Sequence, residues 1–295
     1  MDLWTVLEFL AAPFVASLIL TGIHAYLGVH VVERGVIFVD LSLAQIAALG
    51  ATIAVLMPVS GGDPHAPVVY WISLAFTFIG AAVFSTIRSR RARIPQEAII
   101  GICYAVASAA AILAMSKATS QAEHLNDMLV GNILSVSWHD VWKTAALYGA
   151  VGLFHFVFRR QFLMISINPK AAEASGLSIR LWDFLFYASF GFVVTSSVSI
   201  AGVLLVFCYL IVPSVAAMLY SDDIGPRLAI GWTMGTVVSA LGVYLSVALD
   251  LPTGATIVCT FGIVLAAMAI VRPLLVRNGP RDLHQRDFHD IAHEA

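Results

Sequence analysis

The sequence predicts an all-α polytopic membrane protein with eight to nine transmembrane helices. Of its 295 residues, 60% are hydrophobic and only 12% are charged, whereas soluble domains carry about 25% charged residues. The apolar residues also fall in runs close to the ~20 residues that cross a bilayer core. These features argue against a soluble enzyme or a disordered scaffold. The net charge of −2 offers no basic surface for nucleic acid.

The first half of the chain holds four apolar segments. Residues 5–29 are too long for the core of a cleavable signal peptide and lack its basic flank, so we expect them to remain as a membrane span. Residues 35–57 end at a Gly- and Pro-rich turn, and residues 68–87 end at four arginines. Residues 97–115 follow a proline. Because each boundary carries turn or charge signals, four separate helices are predicted.

The second half holds five more apolar segments. They cover residues 141–158, 181–199, 200–220, 228–249 and 255–275. Pro213 lies near the end of the third of these and predicts a short or broken helix. The count is therefore nine spans, or eight if the segment 200–220 does not fully cross.

Basic residues predict the orientation through the positive-inside rule. Under the nine-span count, four basic sites fall on one side, namely Arg88–Arg93, Arg159/Arg160, Lys170/Arg180 and Arg227. The polar loop 116–127 falls on the other side with a single lysine. We therefore expect the N-terminus outside and the C-terminus in the cytoplasm.

The chain is predicted to hold a transmembrane domain, residues 1–278, and a polar cytoplasmic tail, residues 279–295. Within the tail, His289 and His293 are four residues apart and could share a helical face as metal ligands. The alternative is a solvated, mixed-charge tail without a site.

Polar residues at the start of the second segment are candidates for a substrate path, because polar groups inside a span are costly. Asp40 and Ala44 share one helical face, whereas Gln45 lies about 140° from Asp40. Oxygen atoms of Asp40, Ser42 and Gln45 could line an ion path. The alternative is a polar helix end with an interhelical hydrogen bond from Gln45.

His24 is a further candidate for the path, since neutral imidazole suits zinc and other transition ions. His30 and His155 are weaker candidates because no second ligand lies at helical spacing from either. The alternative for all three is a hydrogen-bonded or interfacial histidine.

Residues 168–178 differ from the apolar segments, because they predict a short cytoplasmic helix. Pro169 suits its first turn, and Gly176 suits its C-terminal cap. Small side chains allow close docking, so we predict a contact with a protein partner rather than a connector on the membrane surface. The candidate contact residues are Asn168, Pro169, Lys170, Ala171, Glu173, Ala174 and Gly176.

The sequence contains no Gly-rich phosphate loop, no nucleophile elbow and no His-Glu-x-x-His zinc motif. We therefore expect this chain not to be an enzyme and to bind no cofactor of its own. If transport requires ATP, another chain must hydrolyse it.

Four stretches, in their order and spacing, resemble the integral-membrane permeases of ATP-binding-cassette (ABC) importers for zinc, manganese and iron. They are residues 130–138, 168–177, 201–206 with 211–214, and 250–255. The resemblance runs from Leu27 to about Leu275. It implies a type II importer permease fold in the cytoplasmic (inner) membrane, working as a dimer with ATPase subunits and a periplasmic or surface metal-binding protein.

The resemblance also implies that residues 168–178 are the ATPase-coupling segment and that a divalent metal ion is the substrate. The family commonly has an Asp and, four residues later, a His in the second span. Those positions are Leu41 and Gln45 here, and Asp40 lies one residue earlier. Alternatives are a permease for a metal chelate, siderophore or vitamin, a standalone secondary transporter, and an intramembrane enzyme.

Overall fold

The computed structural model describes residues 3–63, 66–87, 94–116 and 133–276, and these ranges contain helices without any strand. Two short 3-10 turns, Pro58–Ser60 and Ile133–Ser135, lie between helices. The α-helices in chain order are α1 (Leu3–Arg34), α2 (Val39–Leu56), α3 (Pro67–Ile87), α4 (Gln96–Met115), α5 (Trp138–Val157), α6 (Arg159–Ile167), α7 (Pro169–Ala174), α8 (Ile179–Ala201), α9 (Val203–Met218), α10 (Ile224–Leu249) and α11 (Thr253–Val276).

The predicted all-α membrane architecture is confirmed. Seven helices in the described ranges are long and apolar enough to cross a bilayer, and the bent pair α5–α6 makes eight if it forms one span. α9 is a shorter apolar helix, as predicted, although Pro213 lies inside it and does not end it. Its 16 residues extend ~24 Å, less than the ~30 Å of a bilayer core.

Helix α6 was not predicted from the lengths of the apolar segments. The fifth apolar segment was expected to end at residue 158, before two arginines, but the chain continues as a helix after a bend of 74°. Phe162, Ile165 and Ser166 on one face of α6 are buried, while Arg159 and Arg160 are exposed. The arginines therefore mark the polar face of an amphipathic helix.

Helix α1 lies at the centre of one half of the bundle and packs against α5, α9 and α10. Gly28 allows α1 to cross α9 closely, since a Cβ atom at this position would overlap the carbonyl oxygen of Leu210. Ser214 Oγ lies at the same crossing, 3.3 Å from the carbonyl oxygen of Ala25. Small residues at a helix crossing are typical of membrane bundles.

Helices α2, α3, α4 and α8 form the other half of the bundle. Ser73 Oγ of α3 donates a hydrogen bond to the Ala47 carbonyl of α2 at 2.7 Å. Thr77 of α3 is hydrogen-bonded to Thr195 of α8 at 3.1 Å. These contacts hold the start of α2 beside α8 and α4, where Glu97 Oε1 accepts a hydrogen bond from Phe38 N at 2.8 Å.

Two of the stretches that carry the family resemblance shape the backbone. Gly202, with φ of 75°, ends α8 and begins α9, a backbone conformation that glycine adopts readily. Asp250, with φ of 53°, starts the turn between α10 and α11. Ser246 Oγ closes that turn by donating to the Leu251 carbonyl at 2.8 Å.

Candidate functional site

The predicted path residues of α2 do not share one face, because Asp40 lies about 140° from Gln45 and about 160° from Ser42 around the helix. Asp40 and Ser42 are buried, at 1% and 0% exposure. Asp40 Oδ1 and Ser42 Oγ have no hydrogen-bond partner among the described residues. Gln45 is half-buried, on the same side as Leu41. Asp40 therefore lies on a different face of α2 from Leu41 and Gln45, the two positions at which the resemblance implies an Asp and a His.

His24 is fully buried in α1, and both of its ring nitrogens are hydrogen-bonded. Nδ1 lies 2.8 Å from the Leu20 carbonyl, so Nδ1 carries the proton. Nε2 lies 3.2 Å from Ser197 Oγ of α8. In this arrangement His24 joins α1 to α8, and the structure does not bring it into a shared site with Asp40.

His30 and His155, which looked isolated in the sequence, lie together with Tyr26. The ring of Tyr26 is 4.9 Å from that of His30 and 5.5 Å from that of His155. His155 also stacks on Phe162 with ring centroids 4.3 Å apart. The side chains thus form an aromatic contact between α1, α5 and α6.

The hydrogen bonds of His30 assign its protonated nitrogen. Ser166 Oγ donates to the Phe162 carbonyl at 2.9 Å and accepts from Arg34 Nε at 2.9 Å. A hydroxyl has one proton to donate, so with Ser166 donating to Phe162 the His30 Nδ1 atom, 2.9 Å away, is a donor to Ser166. By the same reasoning, His155 donates from Nε2 to Ser189 Oγ at 2.8 Å.

Arg34 and Asp183 form a fully buried ion pair that sequence reasoning missed. Arg34 Nη1 lies 2.6 Å from Asp183 Oδ1, and the Arg34 guanidinium lies 4.0 Å above the ring of Phe186. A useful signal was present, because Arg34 lies between the first two apolar segments and Asp183 lies near the start of the sixth. A second pair joins the neighbouring Glu33 of α1 to Arg227 of α10.

Among the described residues, no group of three or more His, Cys, Asp or Glu side chains could hold a metal ion. A cavity of about 560 Å³ opens between α1, α5 and α10. Its lining is mostly apolar, with Arg159 as the charged residue, and it includes none of the predicted path residues. The tail residues His289 and His293 lie outside the described residues, so the tail site stays a prediction.

Segment 168–178 contains the helix that the sequence predicts. Asn168 caps α7 by accepting a hydrogen bond from Ala171 N at 3.0 Å, and Pro169 occupies the first turn. Gly176 has φ of 83°, which the αL cap of a helix requires. Ala172 faces inward and is fully buried. The exposed members of the predicted set are Asn168, Lys170, Ala171, Glu173, Ala174 and Gly176.

Similar proteins are membrane components of transport systems. The chain is 26% identical over 250 residues to the manganese transport system membrane protein MntC of Listeria innocua, covering 85% of this chain and 86% of the relative. It is 24% identical over 274 residues to a Haemophilus influenzae protein named "Probable iron transport system membrane protein", covering 92% of this chain and 94% of the relative.

The fold also resembles a solved structure, that of PsaBC from Streptococcus pneumoniae in complex with Fab. The TM-score is 0.72 at 22% identity, covering 90% of this chain and 91% of the other. The model of the ABC 3 transport family matches residues 6–272. With nearly the whole chain matched, this protein belongs to the ABC 3 transport family, as an integral membrane permease.

Proposed function

We propose that this chain is the membrane-spanning subunit of an ABC importer for a divalent metal ion. The observation that carries the proposal is the family match over residues 6–272. Relatives named for manganese and iron transport align over 85% and 92% of the chain, so these metals are the first candidates. Zinc rests on the sequence resemblance alone.

The start of α2 supports a metal that accepts oxygen ligands. Asp40 supplies a carboxylate, Ser42 a hydroxyl and Gln45 an amide oxygen, and such ligands suit manganese better than softer metals. Asp40 Oδ1 and Ser42 Oγ have no partner among the described residues, and since they lie about 160° apart on α2 they would contact the ion at different points of the path. His24 joins the path in this proposal only if it releases Ser197.

The path requires a second copy of the chain and a change of conformation. Asp40 is buried within one copy, so the ion reaches it only when neighbouring helices move. The half-buried side of α2 that carries Leu41 and Gln45 would face the path between two copies. The second copy would supply the ligands that one chain lacks.

Segment 168–178 would dock on a separate ATPase. It presents exposed small and charged side chains around one buried anchor, Ala172. Its termini are capped at Asn168 and Gly176, and these caps would stabilise α7 when it contacts the ATPase. We place this segment, with the C-terminus, on the cytoplasmic side of the inner membrane, and the metal-binding protein on the other side with the N-terminus.

Uptake measured element by element tests the proposal. The chain would be co-expressed with its ATPase and binding protein, and cellular manganese, iron and zinc would be quantified. We expect uptake of one of these metals. That uptake should be lost when the lysine that binds the ATP phosphates in the partner ATPase is replaced. Uptake without the ATPase would favour a secondary transporter, and uptake only of a preformed chelate would favour a chelate permease.

A variant pair tests the path within the same experiment. Asp40→Ala combined with Gln45→Ala should abolish uptake while the permease remains in the membrane. Asp63→Ala is the matched control, because Asp63 is exposed and lies beyond the other end of α2. Wild-type uptake by the double variant would show that Asp40 and Gln45 are not metal ligands.

A further inference from the structure

Arg34 contacts the chain on both sides of the proposed ATPase-coupling helix. Before α7, Arg34 Nε donates a hydrogen bond to Ser166 Oγ of α6 at 2.9 Å. After α7, Arg34 Nη1 pairs with Asp183 Oδ1 of α8 at 2.6 Å. One side chain at the end of α1 therefore holds both flanks of α7.

These contacts are buried, and they tie α7 to the rest of the bundle. Ser166 is 3% exposed, and the Arg34 and Asp183 side chains are fully buried. A charged hydrogen bond shielded from water is strong and directional. The guanidinium also rests on Phe186, 4.0 Å from its ring centroid. Arg34 is therefore held by a hydroxyl, a carboxylate and an aromatic ring at once.

Backbone hydrogen bonds close both ends of α7. Asn168 N bonds back to the Met164 carbonyl of α6 at 2.9 Å. Leu177 N bonds to the Ala172 carbonyl at 3.1 Å, closing the C-terminal end of α7. Short turns connect α6, α7 and the start of α8, so a push on α7 would act on the two helices that carry Ser166 and Asp183.

We propose that Arg34 is the positioning residue that transmits movement of α7 to α1. Ser166 and Asp183 are its two partners on the moving segment. Displacement of α7 would pull the end of α1, and the adjoining turn, residues 35–38, leads directly to Asp40 of α2. The inference rests on the proposed function, because it assumes that α7 docks on an ATPase.

The experiment replaces the polar link by apolar side chains of similar size. Arg34→Met with Asp183→Leu removes both charges together, which often leaves stability unchanged or improved. The variant would be assembled with its ATPase and binding protein in liposomes. Metal ions imported and ATP molecules hydrolysed would be counted in the same vesicles. We expect ATPase binding and hydrolysis to persist while the number of ions imported per ATP falls about tenfold.

A matched control lies on the same helix. Glu33 pairs with Arg227 of α10, at the same end of α1 but without contact to α6 or α7 in this pair. Glu33→Gln with Arg227→Met should leave the ratio of ions to ATP within about twofold of wild type. A similar fall in the number of ions imported per ATP in both double variants would overturn the proposal. Any disturbance of the end of α1 would then be enough to uncouple transport from ATP hydrolysis.

Ser166→Ala is the milder variant, in case the double substitution prevents folding. It removes the hydroxyl that receives Arg34 Nε and His30 Nδ1 but keeps the ion pair, so a smaller fall in the ratio is expected. An unchanged ratio in a folded Arg34→Met/Asp183→Leu variant, or in Ser166→Ala when the double variant does not fold, would overturn the inference. If the wild-type assembly neither imports metal nor stimulates its ATPase, the proposed function fails instead.

Discussion

Arg34 and Asp40 are two buried ionisable side chains on either side of one short turn, and their surroundings differ. Arg34, at the end of α1, is bonded to Asp183 and Ser166 and rests on Phe186. Asp40, in the first turn of α2, keeps an Oδ1 atom without a hydrogen-bond partner among the described residues. Both side chains are removed from solvent.

The difference separates two uses of a buried ionisable residue. A buried ion is expensive unless it is paired and hydrogen-bonded. Arg34 has the Asp183 carboxylate as its ion partner, which suits a residue that joins helices. Asp40 has no ion partner among the described residues, and an ionisable residue inside a membrane domain is a feature of functional sites. The two residues should therefore respond in opposite ways to replacement by a side chain that cannot ionise.

The largest expected effect comes from breaking the paired charge on one side only. Arg34→Met leaves Asp183 buried without its ion partner, so the free energy of unfolding should fall by about 3–5 kcal/mol. Arg34→Met with Asp183→Leu should recover most of that loss. Unfolding of the detergent-purified protein, followed by denaturant titration of its helical circular dichroism, measures both variants. Equal losses in the single and double variants would show that the pair is not the source of the effect.

Gly28→Ala should have the next largest effect, because it shifts the helix that carries Arg34. An alanine Cβ there would overlap the Leu210 carbonyl of α9, and such overpacking costs about 1–3 kcal/mol. Gly22→Ala on the same helix is the control, since its Cβ would meet nothing within 4 Å. The same unfolding titration compares them. A loss in Gly22→Ala as large as that in Gly28→Ala would rule out the crossing as the cause.

Much of the fold followed from the lengths of the apolar segments. All nine predicted segments are helices, since helices satisfy every backbone hydrogen bond within the segment and the bilayer offers no other partner. Helix α6 could not be found that way, because its two arginines interrupt the apolar run. Only its buried face, with Phe162 and Ile165, reveals it as a helix. Local capping residues did predict α7 correctly.

The pairing of distant residues was beyond a single sequence. Arg34 and Asp183 are separated by 149 positions, and hydropathy does not say which segments become neighbours. Conversely, His24 was predictable as a candidate ligand by residue type, but only the fold shows both nitrogens already bonded. Residue type therefore identifies the polar positions in the sequence, but only the packing of the helices shows which of them are hydrogen-bonded to each other.

Loss of the α7 cap should produce a smaller effect, confined to the segment that Arg34 holds. Asn168→Ala removes the acceptor for Ala171 N, and an N-cap of this kind contributes about 1 kcal/mol. Hydrogen exchange at the amides of α7 should accelerate about fivefold, a change consistent with that energy. Ser178→Ala is the control, because Ser178 precedes α8 without a side-chain cap bond. Equal acceleration in both variants would contradict the role of Asn168.

Asp40→Asn should change stability least and yet stop transport, which is the reverse of the Arg34 pattern. The substitution keeps the size of the side chain and removes an ionisable group that has no ion partner among the described residues, so the free energy of unfolding should stay within about 1 kcal/mol or rise. Metal uptake should fall, since an amide is a weaker ligand for a divalent ion than a carboxylate. Unfolding titration and metal uptake on one preparation measure both quantities. A large loss of stability would instead place Asp40 with Arg34, as a residue that holds the helices together.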